Sequence, residues 1–227
     1  MAERIALRRL LPTRGRRLVE IGAGAGRLGD LYRGYDEIYL VDYALSQLEQ
    51  AQAQWGHDAR FVFVQGDIYH LPFPSGHFDT VVTVRVLHHV MDLAAALHEI
   101  ARVTTSHGVY VTEYANKRNL KAILRHLLRR GKPDEDPFSL EPSEFAPLNI
   151  DYHPRHVRQA LEEAGFLITD ELGVSFFRLP WLKQLVPGQL LARFDGLLQR
   201  PVASLHLTPS IFVKGLLSMD VKNKTPG

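Results

Sequence analysis

The chain has 227 residues, 45% hydrophobic and 23% charged, with a formal net charge of +2. That balance suits a soluble globular protein of one domain or two small ones, and no global field selects a nucleic-acid partner. The absence of cysteine rules out disulfides, thiolate zinc sites and a cysteine nucleophile, and fits a reducing, cytoplasmic setting.

Met1-Ala2-Glu3-Arg4 opens an amphipathic helix rather than an apolar signal core. The helix covers 3–11, with Ile5, Leu7, Leu10 and Leu11 inward and Pro12 as its stop. No run reaches the roughly 20 uncharged apolar residues that a spanning helix needs. Strand one is 17–21, followed by a glycine-led helix over 26–33. Strand two, 37–41, closes on Asp42, and a helix covers 44–55 with Leu45, Leu48 and Ala51 in phase. Strand three, 60–65, closes on Gly66-Asp67-Ile68, and strand four is 78–84. Asp92 caps a helix running to Val103, and strand five is 108–113.

The character then changes. Residues 117–130 form a basic amphipathic helix, with Leu120, Ile123, Leu124, Leu127 and Leu128 on one face. Lys117, Arg118, Lys121, Arg125, Arg129 and Arg130 occupy its other positions. A proline- and acid-rich loop spans 133–147, a helix 154–164, strand six 166–175 and a last strand 210–216. The tail 222–227 reads as frayed. Strand and helix alternate in steps of roughly 25 residues, which predicts an α/β protein with a mostly parallel sheet and helices on both faces.

The glycine loop parses in two ways. Gly24-Ala25-Gly26-Arg27-Leu28-Gly29 is a formal G-x-G-x-x-G, the dinucleotide fingerprint, with Asp42 further on. The run Glu20-Ile21-Gly22-Ala23-Gly24-Ala25-Gly26 resembles motif I of the class I S-adenosylmethionine-dependent methyltransferases. Three features favour the second parse. Asp67-Ile68 follows a third apolar strand. Residues 78–82 leading into Leu87-His88-His89-Val90, and then 97–103, are similar to the family's fourth strand and its helix. The isolated apolar strand 210–216 falls where the family inserts an antiparallel strand. Within the family the chain resembles the small-molecule branch of the ubiquinone/menaquinone methyltransferases. It departs at Thr104-Thr105-Ser106-His107-Gly108, where that branch carries a lysine-proline-glycine-glycine turn.

The resemblance implies a Rossmann-like seven-stranded sheet of order 3-2-1-4-5-7-6 with strand 7 antiparallel. One methyltransferase domain covers 1–227, with 115–152 and 176–208 as inserts over the acceptor site. It implies S-adenosylmethionine as cofactor. Glu20 would hold the amino end of the ligand, unless it is a solvent-facing strand end. Backbone around Gly22, Ala23, Gly24 and Gly26 would lie beside the methionine tail. Asp42 would accept the ribose hydroxyls, and Tyr43 would lie on the adenine or simply pack. Gly66, Asp67 and Ile68 would take the adenine edge, or Asp67 would only form a turn. Arg85 would present its carbonyl to the methionine moiety, or its side chain to an acidic acceptor, or remain a surface arginine.

His88 and His89 are candidates for a general base, with a packing role as the alternative. Being adjacent, they do not share a helix face, and no metal site is expected. Tyr114, Phe138, Phe145, Tyr152, Phe176, Phe177, Trp181 and Phe194 either line an apolar acceptor pocket, with His153 and His156 nearby, or cap the sheet. The 117–130 helix is core-packed with a solvated charged face, or lies on a membrane surface, or meets RNA phosphates. The expected activity is methyl transfer to a small apolar or aromatic acceptor by a cytoplasmic monomer or homodimer. The competing readings are a cofactor-binding regulatory module without turnover, a nicotinamide enzyme and an RNA methyltransferase. The lack of an Asn-Pro-Pro-Tyr motif after strand four argues against exocyclic base amines and glutamine side chains as acceptors.

Overall fold

The apolar run at 18–21 becomes a central strand because its alternate residues find two different covers. Val19 and Ile21 face one hydrophobic cluster and Leu18 faces the other, the period-2 consequence of strand geometry. The computed structural model describes residues 2–128, 136–147, 149–174, 199 and 205–218. Its elements are α1 (Ala2–Leu10), β1 (Gly15–Ile21), β2 (Tyr35–Asp42), α2 (Leu45–Trp55), β3 (Phe61–Gln65), β4 (Phe78–Thr83), α3 (Leu93–Val103) and β5 (Thr104–Ala115). They continue with α4 (Leu120–Leu127), β6 (Ser143–Ala146), β7 (Asn149–Asp151), α5 (Pro154–Glu163), β8 (Phe166–Val174) and β9 (Ser210–Leu217).

The main sheet runs β3-β2-β1-β4-β5-β9-β8. β1 to β5 are mutually parallel, and β9 is antiparallel to both β5 and β8. This is the expected order, with β8 and β9 as the sixth and seventh strands. α3 and α5 cover one face through Leu97, Ile100, Val157 and Leu161. α1 covers the other through Ala6, Leu7 and Leu10, with Ala51 of α2 beside it. The registers Ile21↔Val41 and Val41↔Val64 bring the ends of β1, β2 and β3 to one rim.

Asp92 caps α3 as expected, its carboxylate accepting the Ala95 amide at 2.9 Å. Three expectations need correction. Residues 26–33 are no α-helix: successive bonds such as Gly26 N–H to Ala23 O and Gly29 N–H to Gly26 O close tight turns, with a short 3-10 segment at Gly29–Leu31. The Trp55 indole N–H also donates to Gly26 O at 2.7 Å, and glycine is a poor helix former. Strand five begins earlier, at Thr104. The 104–108 stretch is taken into β5 by a register shift opposite Phe78/Thr80, with His107 at φ 63°. Within the proline- and acid-rich stretch a small hairpin, β6–β7, forms instead of loop alone.

The basic helix survives as α4, capped by Asn119 accepting the Ala122 amide, but its packing is reversed from the core-packed reading. Leu120, Leu124, Leu127 and Leu128 are 39%, 48%, 66% and 63% exposed, because both sheet faces are already covered by α1 and by α3 with α5. Lys117, expected on the charged face, is instead buried and donates to Glu141 O. Arg129, Arg130, the stretch 180–200 apart from Gln199, most of the rest of the 176–208 insert, and the tail lie outside the described residues.

Candidate functional site

The glycine loop turns on backbone that only glycine adopts without strain. Gly22, Gly24 and Gly26 have φ of 72°, 55° and 72°. A Cβ on Gly22 would lie 2.3 Å from Val86 Cγ2, so the bare Cα lets the loop close against the tip of β4. A Cβ on Gly24 would meet Gln47 Oε1 at 3.5 Å, an ordinary contact, so its positive φ rather than crowding calls for glycine there.

The loop's amides are largely committed within the chain. Gly22 and Ala23 both donate to Val41 O, Gly26 donates to Ala23 O, and Gly24 donates to Asp42 Oδ2 at 2.7 Å. Asp42 Oδ1 accepts the Ala44 amide at 2.9 Å. Asp42 therefore clasps the glycine loop to the start of α2. Each of its oxygens keeps a further lone pair, enough for a diol.

Glu20 is not solvent-facing. It is 2% exposed, two residues before the loop and on the α1 side of the sheet. Two ion pairs, Arg4 with Asp30 and Arg27 with Glu3, pin α1 over it. Burial pushes its carboxyl up to about 8, which the Tyr32 hydroxyl and the Arg27 guanidinium oppose only in part. Glu20 Oε2 and the Tyr32 hydroxyl complete no hydrogen bond among the described residues. A buried carboxyl oxygen without a donor is costly, and a ligand ammonium is one donor that would satisfy it.

Beyond β2, Tyr43 is 78% exposed, which removes the packing reading and leaves its ring free for a planar ligand. Gly66 donates to Asp42 O, tying the β3 end to the β2 end. Asp67 is exposed and accepts the Tyr69 amide at 3.0 Å, so it does form the turn. Ile68 packs against the larger core cluster.

The β4 tip is held from a distance. Arg85 is exposed with φ 62°, a conformation a non-glycine residue keeps only when its surroundings impose it. Its amide donates to Glu113 Oε2 at 3.0 Å, and Glu113 Oε1 accepts the Ser210 hydroxyl. Glu113 is a residue that sequence reasoning missed. It is buried, with its carboxyl raised by that burial. The Tyr69 hydroxyl accepts the Met91 and Asp92 amides, and the Tyr152 hydroxyl donates to Val90 O at 2.6 Å. Two phenols thus fix the loop that carries His88 and His89. No local motif announces such contacts; the only sequence signal is the buried-type aromatic itself.

His88 and His89 touch, ring centroids 4.0 Å apart. His89 is exposed and His88 half-buried. Burial, together with the neighbouring His89 and Arg85, lowers His88 to about 4. It is a neutral ring at physiological pH, able to accept a hydrogen bond but poorly able to hold a proton. Of the aromatics named for the acceptor pocket, Tyr114 and Tyr152 are core residues, Phe138 is exposed, and Phe176, Phe177, Trp181 and Phe194 lie outside the described residues. His153 caps α5, accepting the Arg155 amide. His156 stacks on Tyr152 and lines an open groove of about 450 Å³ between α3 and α5 with Met91, Asp92 and Glu163. That groove includes no glycine-loop residue.

Comparison with known proteins follows the same division. Residues 19–112 match the family model described as a methyltransferase domain. Over 115 residues the chain is 36% identical to a malonyl-[acyl-carrier protein] O-methyltransferase of Halorhodospira halophila, covering 48% of this chain and 38% of that one. It is 33% identical over 123 residues to the uncharacterized methyltransferase YcgJ of Bacillus subtilis, covering 52% and 49%. The chain thus spans about half or less of the length of these curated relatives. The fold matches the crystal structure of an S-adenosylmethionine-dependent methyltransferase from Mesorhizobium loti. The TM-score is 0.65 at 18% identity, over 95% of this chain and 98% of that one.

Proposed function

We propose that this chain, whose residues 19–112 match a family model described as a methyltransferase domain, is an S-adenosylmethionine-dependent methyltransferase that transfers a methyl group to a small molecule. The observation that carries the proposal is the shared rim. Glu20, Asp42 and Asp67 close three adjacent parallel strands beside a loop whose glycines expose bare backbone. The cofactor supplies a methyl group already activated by a sulfonium. The residues then divide the remaining work. Glu20 takes the ammonium, Asp42 the ribose diol, Tyr43 one face of the adenine, and Asp67 with the Gly66–Ile68 backbone its edge. The bare backbone at Gly22, Ala23, Gly24 and Gly26 lies along the methionine portion.

Aligning the acceptor and excluding water is then the chain's main contribution. Arg85, set in its unusual backbone by Glu113, lies at the β4 tip, where the reacting atoms would meet. His88 serves there as a neutral hydrogen-bond acceptor rather than a proton store. The acceptor is apolar or amphipathic, a reading supported by Phe138, Leu140 and the α4 leucines, which lie exposed past the end of β5.

Calorimetry with S-adenosylhomocysteine tests the proposal. The wild-type chain binds it, and Asp42→Ala weakens binding by about a hundredfold, as expected for a carboxylate that shapes the loop and meets the ligand. Equal affinity in both proteins, or no binding by the wild type, rejects the cradle.

A further inference from the structure

Past the rim of the sheet the chain carries an apolar surface that the described residues leave uncovered. The α4 leucines at 120, 124, 127 and 128 recur at helical spacing and all face solvent. Two more exposed apolar residues lie near the helix. Phe138, 48% exposed, sits against the α4 residue His126 with ring centroids 5.6 Å apart. Leu205, 53% exposed, is held at the start of α4, where Arg118 donates to its carbonyl and Leu120 donates to Leu207 O. Four exposed leucines along one side of a short helix are unusual on a soluble domain and mark a contact surface.

The charge around the patch indicates its partner. Arg118, Lys121 and Arg125 flank the leucines, with no acidic residue between Tyr114 and Lys132 in the sequence. α4 spans eight residues, and no helix among the described residues is long and apolar enough to cross a membrane. Exposed leucines framed by cations on a short helix fit the plane of a bilayer interface, apolar side down and cations at the phosphates. We infer that α4, through its exposed leucines, docks the protein on an anionic lipid surface. Because α4 starts five residues after β5 ends, docking sets the β4–β5 tips beside that surface. On the methyl-transfer reading, the acceptor is then an amphipathic molecule drawn from the lipid phase.

The test is flotation of the full chain with phosphatidylcholine vesicles, with and without phosphatidylglycerol. Wild-type protein floats with the anionic vesicles, and less so as salt rises, since screening weakens the cationic part of the contact. Leu124→Glu cuts the partition about tenfold, and Lys121→Glu cuts it less. Both are exposed positions, and unchanged far-UV circular dichroism shows that the variants fold. Three results overturn the inference: wild type that stays unbound, Leu124→Glu that floats as well as wild type, or a solution dimer that Leu124→Glu dissociates, which would make this face a self-interface. S-adenosylhomocysteine affinity, measured on the same samples, is expected to be equal in wild type and Leu124→Glu. Wild type that fails to float with that affinity intact rejects the lipid surface alone, and wild type that floats without that affinity rejects the transfer reading alone.

Discussion

The two ends of the rim are built differently. On the β1–β3 side the loop is tied by several bonds to its backbone: Asp42 accepts the Gly24 and Ala44 amides, Gly22 and Ala23 donate to Val41 O, and the Trp55 indole donates to Gly26 O. On the β4–β5 side single side chains from separate elements each hold one point of the backbone. Glu113 holds Arg85, Tyr69 holds Met91 and Asp92, and Tyr152 holds Val90 across 62 residues. On the proposed reading, the first arrangement suits a ligand with a fixed shape, and the second leaves the acceptor side to be set by the insert that follows β5.

The comparison breaks first at Glu20. Its carboxyl is raised from 4.5 to about 8 in the folded chain. The stabilising term from the protonated form is complete below about pH 4.5 and is lost as pH rises through about 8. Chemical denaturation of wild type against Glu20→Gln should show a gap that moves in favour of Gln over that window, on the order of 3–5 kcal/mol. A pH-independent gap would mean that Glu20 is not buried as described. Next is Gly22→Ala, which places a methyl against Val86 and forces alanine to φ 72°. A loss of about 2–4 kcal/mol in unfolding free energy is expected; a neutral result would show that the loop is looser than its bonds imply. The smallest effect sharpens the contrast on the acceptor side. Tyr152→Phe removes one phenol bond and should cost about 1 kcal/mol. It should raise the acceptor KM while changing S-adenosylhomocysteine affinity by less than about twofold, since the two ends of the rim act independently.

The same contrast explains what could be read from the sequence. Strands such as Leu18–Ile21 and Phe78–Val82 were legible because burial on both faces keeps them mostly apolar, interrupted only by Glu20 and by Asp79 and Thr80. Asp92 was legible as a cap because it bonds only three residues ahead. The helix at 26–33 was misread because a glycine loop and a helix start share the same letters, while the Trp55 indole that occupies Gly26 O comes from a distant element. Glu113 was invisible because a polar residue in a strand ordinarily signals solvent. The outward turn of α4 was hidden because periodicity reports that a helix has an apolar side, not whether anything lies against it.

Trp55 gives the glycine loop an optical readout. Its indole lies over Gly26 and Gly29, bonds to Gly26 O and stacks on Phe61. The chain has two tryptophans, so replacing Trp181 by phenylalanine leaves a single fluorophore seated on the motif. Its emission colour and quenching then register any reshaping of the loop as a ligand arrives, without a label and in real time.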